Sequence, residues 1–170
     1  MRRLTTTTAV LALLACTQSL NWREVQLAHL RTMLPCKPDQ ASRQIALNDK
    51  TIRMDMLGCA VDKALFTVSH IHAADAAQAV VLLNQLRAAS LASVAARTIH
   101  PAAKSGDAQH SLDVQVDGNR PTGAPVQARF KWLQQGQHIY QLAVYAEHLT
   151  EEQTETLLRE TKLPCVQKTC

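Results

Sequence analysis

The sequence predicts an α+β domain in which an antiparallel β-sheet of about six strands is flanked by two helices. Three observations carry this expectation. Several stretches alternate between apolar and polar residues, the habit of strands with one dry face. Two other stretches are rich in helix formers and open on capping residues. Strands and helices come in separate runs, which argues against alternating parallel units. The chain has 170 residues, 46% of them hydrophobic and 19% charged, a balance that suits a packed core and not a disordered tail.

The elements follow in order. Thr32-Met33-Leu34-Pro35 reads as a short strand ended by proline. Ser42–Leu47 and Thr51–Leu57 read as a hairpin turning at Asn48-Asp49-Lys50; in its second strand Ile52, Met54 and Met56 face one way and Thr51, Arg53 and Asp55 the other. The stretches "ALFTVSHI" and "HIYQLAVY" alternate less cleanly, as central strands covered on both faces do. Asp75 to Arg97 is rich in Ala, Leu, Gln and Arg; Asp75 and Gln78 have capping-box spacing, and Pro101 bars continuation. Small residues on it (Ala79, Ala89, Ser90, Ser93) allow close approach to a sheet. Leu112, Val114 and Val116 then oppose Asp113, Gln115 and Asp117. Val126, Ala128, Phe130 and Trp132 oppose Gln127, Arg129 and Lys131, with a turn at Gln134-Gln135-Gly136. Thr150-Glu151-Glu152-Gln153 opens a last helix with acids at the positive end of its dipole; it is expected to run to about Thr161 and to bury Leu157 and Leu158.

The N-terminal stretch reads as an export signal. Met1-Arg2-Arg3 is a basic start, and Leu4 to Ala15 is apolar but too short to span a bilayer, which takes about 20 residues. Leu13-Leu14-Ala15-Cys16 resembles a bacterial lipobox. That resemblance implies cleavage before Cys16, attachment of diacylglycerol to its sulfur and an added N-acyl chain such as palmitate, together a stable membrane anchor. Thr17, not an aspartate, follows the cysteine, which by resemblance to sorting signals favours an outer-membrane lipoprotein facing the periplasm. The expected organisation is a lipoprotein signal peptide over residues 1–15, a tether over 16–28 and a single domain over 29–170. The alternative is a soluble periplasmic protein cleaved after Ser19.

There are five cysteines: Cys16, Cys36, Cys59, Cys165 and Cys170. Either export route removes Cys16, leaving an even number in a compartment that permits disulfides. Four cysteines allow three pairings. The hairpin brings Cys36 and Cys59 to the same end, and Cys165 and Cys170 are local neighbours, so Cys36–Cys59 with Cys165–Cys170 is the expected set. The spacing between the last two is not that of a thiol oxidoreductase.

"TMLPCKP", a meander, a long Ala-rich helix, a three-strand return containing "WLQQGQHIYQLAVY" and a final acid-capped helix together resemble small bacterial envelope proteins of the PsbP-like superfold, which also includes the eukaryotic Ran-binding Mog proteins. The resemblance covers roughly Arg31 to Leu163 and includes Leu34-Pro35-x-Lys37-Pro38 and Gly136-x-x-x-Tyr140. It implies binding or assembly roles in place of catalysis, and it brings no catalytic residues with it.

Candidate chemistry is sparse. His70 and His72, two apart on a strand, share a face and could begin a metal site, but no third ligand is legible, so they are expected to be surface histidines at a strand end. His110, His138 and His148 are read in the same way, and Glu147-His148 lacks a positioned nucleophile. No phosphate loop, nucleophile elbow or zinc-protease helix occurs, so the expectation is no enzyme, no catalytic residue, no metal and no cofactor, with a metal-binding protein or enzyme using His70 and His72 as a further alternative. The formal charge of +4 is scattered, and Arg2 and Arg3 supply part of it, which gives no support to nucleic-acid binding. The expected partners are the membrane, through the lipid, and an envelope protein of unknown identity. Two loops, Ala102–Ala108 and Gly118–Pro125 with Arg120, are the candidate binding loops, although turn composition alone accounts for them.

Overall fold

A computed structural model of the chain describes residues 20–47, 50–101 and 111–164. The expectations for the leader and Cys16, the Asn48-Asp49 turn, the loop at 102–108, His110 and the Cys165–Cys170 bridge lie outside the described residues.

The element order is β1 (Arg23–Leu27), β2 (Leu30–Leu34), β3 (Asp39–Leu47), β4 (Lys50–Val61), β5 (Ala64–His72), α1 (Ala76–Ser93), β6 (Thr98–Pro101), β7 (Leu112–Asn119), β8 (Pro125–Gln135), β9 (His138–Ala146) and α2 (Glu151–Arg159). The expected α+β class with an antiparallel sheet is what the structure shows, with more strands than the six or so anticipated. Seven strands form one sheet in the order β3-β4-β5-β9-β8-β7-β6, and β1 and β2 form a separate hairpin. Every pairing is antiparallel.

Two strands were not anticipated. β1 lies in the stretch read as tether, so paired structure begins at Arg23, before residue 29. Its Val25 and Leu27 pack on the sheet while Glu24 and Gln26 face water, an alternation too short to stand out. β6 follows the helix and is exposed along its length; as an edge strand it accommodates Pro101. The helix also stops earlier than Arg97. Ala95 turns left-handed at φ 42°, and Ala96 N–H reaches back to Leu91 O at 3.1 Å while Ala95 N–H bonds Ala92 O at 3.0 Å. That is a Schellman ending with alanine where glycine is usual. At the other end Asp75 Oδ1 accepts from Gln78 N–H at 2.7 Å, as its spacing predicts, while Gln78 Oε1 accepts from Ala74 N–H at 2.7 Å.

The sheet is covered on both faces. Helix α1 lies on one, burying Leu82, Leu83 and Leu86 against Val114, Val116, Val126, Ala128, Phe130, Trp132, Ile139 and Ala143. On this side the buried Gln141 Oε1 accepts from Trp132 Nε1 at 2.8 Å and from Ser90 Oγ at 2.6 Å, so this amide oxygen is satisfied twice. The β1–β2 hairpin and α2 share the opposite face. There Leu27, Leu30, Leu34, Leu157 and Leu158 close over Phe66, Val68, Leu133, Tyr140, Leu142 and Val144. Hairpin and helix are tied by Arg31 N–H to Lys162 O at 2.9 Å, its reciprocal at 2.8 Å, and Thr32 Oγ1 to Leu157 O at 2.9 Å.

The expected facing of residues holds with two refinements. Ile52 and Met54 pack toward α1, but further along β4 it is Leu57 and Cys59, on the opposite face, that are buried, because the hairpin covers that end. On β8 the polar row is not simply solvated. Arg129 bonds Asp113 through both Nε (3.0 Å) and Nη2 (3.1 Å) and reaches Glu155 at 3.3 Å, and Lys131 Nζ donates to Leu158 O at 2.9 Å. The Asp113 hydrogen bonds hold the Arg129 guanidinium above its usual pKa, while burial pushes Lys131 down.

Cys36 and Cys59 form a disulfide, with Cα atoms 6.0 Å apart at a sequence separation of 23, as the hairpin geometry predicts. It fastens the bend that follows β2 to β4. Opening this link, by Cys36→Ala together with Cys59→Ala, is expected to lower unfolding free energy by about 3 kcal/mol in urea titration; an unchanged midpoint at equal slope would show that the loop is not constrained by it. Gly118 is a sharper point. A Cβ there would sit 2.1 Å from Val94 O, the oxygen that accepts from Asn119 N–H at 2.7 Å. Gly118→Ala is therefore expected to cost about 3 kcal/mol or more in the same assay, against about 1–2 kcal/mol for alanine at Gly123, where nothing lies within 4 Å and only the φ of +87° is strained.

Candidate functional site

Strand parity and register assemble a histidine cluster on the hairpin side of the sheet. On β5 the even positions face the hairpin, so His70 and His72 point the same way as Phe66 and Val68. On β9 the even positions do likewise, which aligns His138 with Tyr140 and Leu142. The β5–β9 register sets His72 opposite His138 and His70 opposite Tyr140. The β4–β5 register puts Asp55 opposite His70. From above, the tight β1–β2 turn contributes His29. Ala28 there is left-handed at φ 52°, and His29 N–H donates to the Tyr140 hydroxyl at 3.3 Å.

The imidazoles are in contact. His70 Nε2 and His138 Nδ1 share a hydrogen bond of 2.9 Å. Ring centres lie 4.8 Å apart for His29–His138, 4.8 Å for His72–His138 and 4.9 Å for His70 stacked on Tyr140. His70 is 8% exposed and Tyr140 fully buried, His138 is half-buried, and His29 and His72 are exposed. The cluster thus grades from dry at His70 to wet at His72.

Its electrostatics follow from that gradient. Burial, with the neighbouring His138 next in weight, pushes His70 down to about 4, and Asp55 offsets only part of this. His138 is lowered by burial and then by His29 and His72. Tyr140 is raised by burial, with the His29 amide opposing. Asp55 is held below the usual carboxylate range by hydrogen bonds from Ser42 and then Arg53. The inner imidazoles are therefore neutral at pH 7, each with a free lone pair or a proton to share. Among the described residues, no three His, Cys, Asp or Glu side chains already surround a common ion position.

The expectation that His70 and His72 share a face holds, but His70 is buried and only His72 lies at the surface as expected; what sequence reasoning also missed is that His29 and His138 join them. The two-residue spacing was visible, but the partners come from a turn 41 positions away and a strand 66 positions away, and only the strand order brings them in. His148 stands apart, exposed, 3.9 Å from Glu147. Arg120, from the candidate loop, lines a shallow cavity of about 410 Å³ with Asp62, Lys63 and Leu65 at the far end of β5. No helix among the described residues is long and apolar enough to cross a membrane. No protein-family model matches the chain, and no match is found among curated proteins.

The buried neutral His70 makes stability depend on pH with a definite sign. In the folded chain it titrates near 4, whereas unfolded histidine titrates near 6.5, so between these values the unfolded state binds more protons. Stability should be level above about pH 6.5, fall as pH drops towards 4, and lose on the order of 2–3 kcal/mol through this group. Urea titrations of the wild type and His70→Gln, in buffer with a chelator, test it: the difference between the two curves should shrink by that amount over the window, and a constant offset would refute the assignment.

Proposed function

We propose that this chain is an envelope lipoprotein, anchored through Cys16, whose α+β domain serves as a non-catalytic binding or assembly module of PsbP-like type. The observation that carries the reading is the Cys36–Cys59 disulfide, because such bonds persist in oxidising compartments and are rare in the cytosol. The lipobox-like Leu13-Leu14-Ala15-Cys16 supports it from the sequence side. Paired structure starting at Arg23 leaves only a few residues between Cys16 and the domain, so an anchored domain would sit close to the bilayer. The layered antiparallel sheet with a long crossing helix supports the PsbP-like reading in architecture.

The histidine-lined face is the feature of the domain most suited to recognition. It combines hydrogen-bonding rings, a buried tyrosine and graded exposure on rigid strands, where positions are held by the sheet. The alternative of a soluble periplasmic protein differs only in the fate of Cys16.

Cys16→Ser decides between them. In fractionated cells the wild type is expected in the outer-membrane fraction and the variant in the soluble or unprocessed fraction; mass spectrometry of the mature N-terminus should show acyl mass on Cys16. Unchanged membrane association of the variant would rule the anchor out, and a mature chain beginning after Ser19 would favour the soluble form.

A further inference from the structure

We propose that His70 and His138, joined by His72 and His29, form a binding site for one divalent late transition metal, with copper(II) the preferred ion. The donor set is four imidazoles, which suits copper, nickel and zinc and not the hard cations magnesium or calcium. His70 Nε2 and His138 Nδ1 face each other 2.9 Å apart across a hydrogen bond, so a turn of either ring lets both nitrogens reach one ion. Copper(II) stands highest in the affinity order for such nitrogen donors.

Entry of the ion is a ligand exchange. Waters leave the aqua ion, and the imidazole that donated the shared hydrogen bond moves its proton to its other ring nitrogen through solvent. Both facing nitrogens then present lone pairs, and no net proton is released. His72 is exposed, with its ring 4.8 Å from that of His138, and His29 sits on a turn at the same distance. Side-chain rotation has to carry these two inward, because among the described residues no three such side chains stand ready around an ion. Tyr140 supports both halves of the site, stacking on His70 and accepting from the His29 amide. Asp55, opposite His70 in register, adds negative charge beside the incoming dication. Because His29 belongs to the hairpin and the other three to the sheet, a bound ion ties the two layers together. The site does not depend on the lipid anchor.

The test uses the full chain purified in detergent without a histidine tag. Titration with copper(II) and nickel(II) chloride, electron paramagnetic resonance of the copper form, and thermal unfolding are read together. One tight copper per chain, hyperfine structure from three or four nitrogens, and a rise in Tm are expected. His138→Gln and His70→Gln should each weaken copper at least about 100-fold, and the exposed His72→Gln, which leaves the fold untouched, at least about 10-fold. His148→Gln should change nothing. Copper held by fewer than three nitrogens, a sulfur-to-copper charge-transfer band, affinity indifferent to His72→Gln, or an equal loss in His148→Gln would each overturn the site.

Discussion

Two strands at the centre of the sheet have to be dry on both faces, and most of the architecture answers that requirement. In β5 and β9, Phe66, Val68, Tyr140, Leu142 and Val144 point one way with no measurable exposure, while Ile71, Ile139 and Ala143 point the other way and are equally hidden. A single helix covers only one side. Helix α1 supplies that cover over β8, β9 and their neighbours; the second face needs something else, and the chain provides it from both ends, as the β1–β2 hairpin and α2. The hydrophobic effect sets the demand at about 25 cal/mol per Å² of apolar surface. Backbone pairing between Arg31 and Lys162 joins the two covers into one layer.

The second cover is shorter than the sheet it protects. Over Leu57, Cys59, Phe66 and Val68 the hairpin excludes water, and the disulfide pins it there. Towards Arg53, Asp55, His70 and His72 it runs out at its turn, and the same row of inward positions changes from apolar to polar. The histidine cluster sits on that boundary. Its inner ring is desolvated enough to stay neutral, and its outer rings are wet enough to turn, a combination that neither a full core nor a free surface offers. The other polar cluster on this face, Arg129 with Asp113 and Glu155, is closed by α2 and has its hydrogen bonds internally satisfied, which marks it as a fastening of helix to sheet.

Much of the fold was legible in particular residues. Val126, Ala128, Phe130 and Trp132 all bury as their alternation predicts, Asp75 and Thr150 cap their helices, and the unclean pattern of Ala64–Ile71 and His138–Tyr145 does mark the central strands. The failures have local causes. Ala95 ends α1 by a left-handed turn that glycine, not alanine, would have announced. Arg23–Leu27 shows too few alternations to separate a strand from a tether, and its stability comes from pairing with β2 and packing on β4 and β5, both long-range effects.

Alone, the sequence determined what depends on near neighbours: the α+β class, the period of the strands and the caps, and it ranked Cys36 with Cys59 first among three pairings through a hairpin the chain itself encodes. Tertiary structure decided which of seven histidines meet. His29, His70, His72 and His138 come together only because β9 inserts beside β5 and the N-terminal hairpin folds back over both. Parity along one strand is a local property and can be read from spacing; register between strands separated by a helix and three further strands is not, since it is set by how the whole sheet buries its two faces.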